Sequence, residues 1–188
     1  MTTTTKRTRP ATGADAGTSM ALYPAATAGR TMTEHVQTVH IDASANDAAQ
    51  LMWYGDLGAL PVVDHEGKLR GMVTDRDLAM AAHLQGKPLH EIPVRTVMSQ
   101  GVVALTSTDL LSEAVTLMRR HKVRRLPVLD ERGGVGGMLS LSDLARVSVR
   151  GEGDGLTERD VADALCTICT PRAGLAADGA DELPTLQS

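Results

Sequence analysis

Residues 60–78 read LPVVDHEGKLRGMVTDRDL, and residues 126–144 read LPVLDERGGVGGMLSLSDL. The two stretches align position by position and share Leu-Pro-Val, a turn aspartate and glycine, Gly-Met, and Asp-Leu. The alignment extends without a gap over residues 32–79 and 98–145. Clustered identities at a single offset indicate an internal repeat. The chain therefore contains two copies of one supersecondary unit.

Each copy has the predicted order β-α-β-β-α. A short β-rich segment, 36–41 or 102–105, precedes a helix whose apolar residues recur at i, i+3 and i+4. Two apolar strands then flank a turn that contains a glycine, and the second helix begins after Thr74 or after Ser140. The candidate N-caps of the first helix are Asp42 or Ser44 in one copy and Thr108 in the other.

A unit of about 60 residues buries little apolar surface and is only marginally stable by itself. We therefore expect an α/β (α+β) fold in which two β-α-β-β-α repeats pack as a pseudo-two-fold pair with a cleft between them, followed by a C-terminal helix. The predicted divisions are a disordered arm (1–29), repeat 1 (30–92), repeat 2 (93–150), a C-terminal amphipathic helix (151–171) and a disordered acidic tail (172–188).

Composition excludes several classes of protein. The 188 residues include one Trp, two Tyr and no Phe, so the core must be aliphatic and a ligand site must manage without aromatic stacking. Net charge is −4, which argues against a nucleic-acid-binding protein. No apolar run approaches the roughly 20 residues that span a bilayer, and no hydrophobic signal region begins the chain. We expect a cytoplasmic protein without a membrane or nucleic-acid partner.

The second helix of each copy begins with a capping box. Thr74 with Asp77, and Ser140 with Asp143, fit the pattern [ST]-x-x-[DE] ahead of an apolar run. A helix N-terminus also presents free N–H groups and positive potential to a phosphate. A carboxylate beside it is able to accept hydrogen bonds from the hydroxyls of a ribose. These four residues are therefore either simple helix caps or caps that also bind a nucleotide.

The order hydrophobic-Pro-Val-x-Asp before Gly-hydrophobic-x-Thr/Ser-x-x-Asp resembles the cystathionine-β-synthase (CBS) domain. Two in tandem resemble a CBS pair, also called a Bateman module, and the whole chain is similar to stand-alone actinobacterial CBS-pair proteins of the hypoxic-response type. The resemblance implies a dimeric regulatory module that binds AMP, ADP or ATP in the cleft between the repeats, with S-adenosylmethionine or NAD as second choices. It also implies an unknown regulated protein and no catalysis.

The resemblance assigns roles residue by residue. It makes Thr74, Asp77, Ser140 and Asp143 contacts to ribose and phosphate. It implies an adenine slot along the first strand of each repeat and beside the Pro-Val strand, and the slot residues are Val36, Val39, Pro61, Val102, Leu105 and Pro127. Val, Met and Pro side chains are able to hold a purine by dispersion.

The two repeats differ in charge where the first helix ends. Repeat 2 has the basic stretch 119–125, whereas the counterpart 53–59 in repeat 1 has no base. Cations that suit a helix C-terminus explain part of this stretch. Arg124 and Arg125 match phosphate-binding positions of the family, and Arg76 is a further candidate. We expect one site that binds phosphate and one that is weaker or vacant.

The remaining candidates for chemistry are two cysteines and six histidines. Cys166 and Cys169 form C-x-x-C on the helix that Thr157 caps and Pro171 ends, and we expect them to be buried as small apolar residues. An alternative is a protein-interaction module with vestigial nucleotide sites, in which this pair is a redox or metal element. The histidines lack metal-binding spacing, so we expect surface positions, no zinc and no other metal site.

Overall fold

The computed structural model describes residues 26–153 and 155–171, so most of the predicted arm and all of the acidic tail lie outside the described residues. The helices are α1 (Ala28–Thr31), α2 (Ala45–Gly55), α3 (Asp75–Gln85), α4 (Leu111–His121), α5 (Leu141–Arg150) and α6 (Glu158–Cys169), with 3₁₀ turns at Leu89–Glu91 and Val94–Thr96. The strands are β1 (Thr33–Glu34), β2 (Val39–His40), β3 (Ala59–Val63), β4 (Leu69–Thr74), β5 (Leu105–Thr106), β6 (Arg125–Leu129) and β7 (Val135–Ser140).

Each repeat builds its own small sheet around the Pro-Val strand. In repeat 1, β3 is central between parallel β2 and antiparallel β4. In repeat 2, β6 lies between parallel β5 and antiparallel β7, and β1 adds a fourth strand at the edge of β7. The mixed α/β architecture predicted from the repeat is confirmed.

The segment that leads into each repeat crosses to the other repeat. Thr33 pairs with Met138 of repeat 2, and Ser99, the equivalent position in the second copy, pairs with Met72 of repeat 1. The exchange joins the two halves by backbone hydrogen bonds. Each repeat therefore completes the sheet of its neighbour, which is why the pair forms one structural unit.

The last part of the predicted arm belongs to this exchange. Ala28 is fully buried and donates its N–H to the Asp109 carbonyl at 2.8 Å. Gly29 donates to the Ser107 carbonyl at 3.0 Å, and α1 packs against α5. The predicted disorder therefore does not extend to residues 26–29, because long-range contacts with repeat 2 order a segment that lacks periodicity of its own.

Two aliphatic clusters form the core, one in each repeat. The repeat 1 cluster includes Leu60 and Val73 at full burial. The repeat 2 cluster includes Leu126 and Leu139, and it extends to Ala164 because α6 packs on α4 and α5. Among the described residues, helices with the length and apolarity needed to cross a membrane are absent.

The helix caps agree with the sequence in every place except one. Ser44 caps α2, and its hydroxyl accepts from the Asp47 N–H at 3.2 Å. The N-cap of α4 is Leu110, whose side chain forms no capping hydrogen bond, so the predicted cap Thr108 is wrong. Thr108 lies too early in the chain to cap this helix, and its hydroxyl contacts that of Thr106 at 3.1 Å.

Candidate functional site

Two cavities lie where the repeats meet, and they share one plan. The neutral cleft, of about 390 Å³, is lined by residues 33, 35–37, 55–59 and 61 together with Arg125, Met138, Ser140, Asp143 and Arg146. The basic cleft, of about 450 Å³, is lined by residues 99–103 and 121–127 together with Gly58, Ala59, Met72, Thr74, Asp75 and Arg76.

Each cleft has an apolar wall from one repeat and a helix N-terminus from the other. In the neutral cleft, Val36 and Pro61 of repeat 1 share the cavity with Ser140 at the start of α5. In the basic cleft, Val102 and Pro127 of repeat 2 share it with Thr74 at the start of α3. This reciprocal arrangement follows from the exchanged leading segments.

Both predicted capping boxes are present. The Asp143 carboxylate accepts hydrogen bonds from the Ser140 N–H at 2.8 Å and from its hydroxyl at 2.6 Å. The Asp77 carboxylate accepts from the Thr74 N–H at 2.8 Å and from its hydroxyl at 2.6 Å. In each aspartate these contacts use Oδ2. The second oxygen, Oδ1, remains for another partner.

The two aspartates differ in what surrounds Oδ1. Asp143 is buried, lines the neutral cleft and accepts a hydrogen bond from Arg146 through Oδ1. Asp77 is half-buried and lies outside the lining of the basic cleft, where Thr74 and Asp75 take its place. Position 80, equivalent to Arg146, is Met80. Of the two capping-box carboxylates, only that of Asp143 in repeat 2 lines one of the two clefts.

Charge separates the clefts most clearly. Among the described lining residues, the basic cleft has four cationic side chains, Arg76, Lys122, Arg124 and Arg125, against the carboxylate of Asp75. The lining of the neutral cleft has two arginines and two aspartates. A multiply charged phosphate chain is therefore favoured in the basic cleft.

Arg125 lies on the partition between the two cavities and lines both. A Cβ built at Gly58 would lie 3.9 Å from Arg125 Nη2 and 3.5 Å from Asp75 Oδ2, so both charged groups approach the same glycine. Arg124 and Arg76 are exposed at the basic cleft. The structure thus brings together the three arginines selected from the sequence.

The expected adenine slot divides into lining and core residues. Val36 and Pro61 line the neutral cleft, and Val102 and Pro127 line the basic cleft. Val39 and Leu105, exposed by only 2% and 1%, belong to the two cores and lie outside both linings. Strand alternation turns them inward, because successive side chains point to opposite faces.

A further basic cavity is not predicted by the sequence. It has a volume of about 660 Å³, adjoins the neutral cleft through Thr33, Asp143 and Arg146, and is also lined by Arg30 and Arg150. Asp143, Arg146 and Arg150 lie on one face of α5 at i, i+3 and i+7, a spacing that was readable in the sequence. Arg30 reaches this cavity because the segment that leads into repeat 1 crosses to repeat 2, and the sequence does not show that crossing.

The cysteines and one histidine depart from expectation. Cys166 and Cys169 are exposed on α6, because Val161 and Ala164 form the buried face of that helix instead. Five of the histidines are exposed, as predicted, but His40 is half-buried. The expectation of six surface histidines is therefore wrong at His40.

Comparisons with known proteins agree with this construction. A family model described as "CBS domain" matches residues 28–84 and 94–150. CBS domain-containing protein YhcV of Bacillus subtilis (strain 168) is 40% identical over 129 residues, which cover 68% of this chain and 90% of that protein.

Two solved structures show a similar fold. Hypoxic Response Protein I, with two coordinated zinc ions, is 29% identical with a TM-score of 0.60, covering 64% of this chain and 98% of that one. CBSX2 in complex with AMP is 27% identical with a TM-score of 0.59, covering 67% and 98%. The resemblance seen in the repeat is confirmed: the chain belongs to the CBS domain family and carries two such domains in tandem.

Proposed function

We propose that this chain is a non-catalytic regulatory module that binds an adenine nucleotide of the AMP, ADP or ATP class between its two CBS domains. One observation carries the proposal: each cleft combines an apolar wall from one repeat with a helix N-terminus from the other. Such a pairing suits a ligand with an apolar base at one end and an anionic group at the other. The AMP complex of CBSX2 supports the same ligand class.

We assign the phosphate chain to the basic cleft. The base contacts Val102, Pro127 and Met72, which supply dispersion without an aromatic ring. Thr74 and the N-terminal end of α3, with the positive potential of the helix dipole, face the ribose and phosphate end. Arg124 and Arg125 present guanidinium groups, which form paired hydrogen bonds with phosphate oxygens. The neutral cleft, with Asp143, takes a less charged ligand or none.

Calorimetric titration of the full chain with AMP, ADP, ATP, NAD and S-adenosylmethionine tests this assignment. We expect ATP to bind, and Arg124→Ala combined with Arg125→Ala to weaken it at least about tenfold, since a charged hydrogen bond contributes about 1.5–3 kcal/mol. At 100 times Kd, bound nucleotide should raise Tm by about 5–10 °C.

A matched control separates the site from general electrostatics. Arg119→Ala combined with Arg120→Ala removes the same charge from the same basic stretch, but these exposed side chains lie outside the lining of the basic cleft. We expect this variant to bind ATP as the wild type does. Equal losses in the two variants would reject the assignment of the phosphate to this cleft. The absence of binding to all five compounds would reject the nucleotide function itself.

We also propose that the module forms a homodimer through the helices of repeat 1. In repeat 2, α6 covers α4 and α5, whereas the equivalent face of α2 and α3 keeps an open groove of about 580 Å³. Trp53 and Tyr54 on α2 are 83% and 84% exposed.

Sedimentation analysis should find a dimer, and Trp53→Ala combined with Tyr54→Ala should weaken that dimer. A monomeric wild type would refute this contact. Nucleotide binding would then alter how the dimer presents itself to a regulated protein, because both repeats form each cleft.

The exposed cysteines favour a second candidate function, an interaction module that uses C-x-x-C as a redox or metal element. Cys166 and Cys169 lie one helical turn apart and accessible on α6. This alternative gains support if thiol oxidation changes the oligomeric state while none of the nucleotides binds. If ATP binds and Cys166→Ser with Cys169→Ser changes nothing, the nucleotide module stands alone.

A further inference from the structure

Three side chains with metal-binding atoms meet at the edge of the repeat 1 sheet, away from both clefts. They are His40 in β2, Asp42 shortly after that strand, and His65 in the turn after β3. Their candidate ligand atoms all lie within 4.8 Å of one another. We propose that His40, Asp42 and His65 bind a divalent transition-metal ion of the Zn²⁺ class.

The parallel pairing of β2 with β3 brings these residues together. His40 lies opposite Val63, so the turn that begins at Asp64 places His65 beside His40, although helix α2 separates the two histidines along the chain. Asp64 Oδ1 accepts the backbone N–H groups of Glu66 and Lys68, both at 2.9 Å. The backbone that carries His65 is therefore held in one conformation.

The spacing of the side-chain atoms matches a metal centre. His65 Nε2 lies 3.2 Å from Asp42 Oδ2, and His40 Nδ1 lies 3.8 Å from the same oxygen. In a tetrahedral zinc site with Zn–N and Zn–O bonds of about 2.0–2.2 Å, neighbouring ligand atoms are about 3.4 Å apart. Small side-chain adjustments suffice to admit an ion. Two imidazoles and one carboxylate are donors that suit zinc and its first-row neighbours.

The hydrogen bonds around His40 are compatible with an ion at its Nδ1. Nδ1 accepts the Asp42 backbone N–H at 3.2 Å, so an ion that takes this lone pair replaces one long hydrogen bond. His40 Nε2 is buried and has no partner among the described residues, so no hydrogen bond at that atom opposes a small adjustment of the ring. An ion between Nδ1 and Asp42 Oδ2, which are 3.8 Å apart, would be coordinated by both atoms.

The surroundings position the carboxylate and leave the centre open. Arg95 donates to Asp42 Oδ1 at 3.0 Å, which orients the carboxylate and leaves Oδ2 for the ion. The side chains of His40, Asp42 and His65 are 35%, 51% and 80% exposed, so water or a partner's side chain completes the coordination. The guanidinium charge moderates the affinity.

Repeat 2 provides an internal comparison. The equivalent positions are Thr106, Thr108 and Glu131, on the same strand and turn of the second copy. That set has one carboxylate and no imidazole. The proposed centre is therefore a property of these side chains in repeat 1 and does not follow from the fold.

Zinc binding by the chelator-stripped full chain tests the proposal, with Co²⁺ absorption reporting the coordination. Cys166→Ser with Cys169→Ser serves as the background, so that thiol ligands are excluded. We expect one Zn²⁺ per chain in this background. His65→Ala should weaken binding by at least the roughly tenfold that the loss of an outer hydrogen-bond partner of a metal ligand causes.

His83→Ala is the matched control, because His83 is exposed and lies outside both the cluster and the two clefts. His65→Gln provides a second variant if His65→Ala alters folding, since the exposed turn tolerates a polar side chain of similar size. Loss of Zn²⁺ in both His65 variants with retention in His83→Ala supports the centre. Zn²⁺ binding that survives both His65 variants, or that is absent from the cysteine-free background, overturns it.

Discussion

Substitution of Gly137 by alanine tests whether the exchanged strand determines the stability of the pair. Gly137 lies in β7, where β1 crosses from repeat 1. A Cβ at this position would lie 2.8 Å from the Thr33 carbonyl oxygen and would overlap the Met32 sulfur. Because ordinary contacts begin near 3.4 Å, the crossing strand must move by at least about 0.6 Å.

The expected cost follows from this overlap. Overpacking of a well-packed site destabilises a protein by about 1–3 kcal/mol, and here the main obstacle is backbone, which yields less than a flexible side chain. For a chain of this size the loss corresponds to a fall in Tm of about 3–10 °C. The displaced Thr33 also lines the neutral cleft, so that cleft should widen.

The neighbouring glycine is the control. A Cβ at Gly136 would lie 3.5 Å from the Val128 carbonyl oxygen, an ordinary contact, so Gly136→Ala should change the free energy of unfolding by no more than about 1 kcal/mol. Urea-induced unfolding, followed by circular dichroism, measures both variants. If Gly137→Ala is as stable as Gly136→Ala, the close crossing does not contribute to stability and the reasoning fails.

Three further predictions concern helix ends. Ser140→Ala removes the capping hydroxyl of α5 and should cost about 1 kcal/mol in urea unfolding; an unchanged midpoint would show that the cap is dispensable. The Thr157 hydroxyl is the largest cause that lowers the pKa of Asp160, so this carboxylate adds stability at neutral pH that is lost as pH falls through its folded pKa. Thr157→Ala should raise that pKa towards its ordinary value in an NMR titration, and an unmoved titration would contradict the cause. Asp56 ends α2 in the left-handed region at φ 50°, so Asp56→Gly should stabilise the protein by about 0.5–1 kcal/mol in urea unfolding; a loss of stability would refute this.

The sequence predicted what short-range interactions determine. The capping boxes of Thr74 and Ser140 involve residues three apart, so the pattern and the observed hydrogen bonds coincide. The prediction of Thr108 as a cap fails because the start of α4 depends on a long-range contact: the Leu111 N–H donates to the Ala26 carbonyl at 3.2 Å. The prediction that Cys166 and Cys169 are buried is wrong because periodicity identifies the apolar residues of α6 but not which face of the helix meets α4 and α5.

The sequence by itself determined the repeat, the order of elements and the chemical types available at the candidate sites. Only the tertiary structure decided which of these residues share a cavity. The exchange of leading segments places Val36 with Ser140 and Val102 with Thr74, and it assigns Arg124 to the basic cleft and Arg125 to both. The parallel pairing of β2 with β3 likewise unites His40 with His65. Such neighbours depend on sheet register and on packing between the repeats, which local periodicity does not encode.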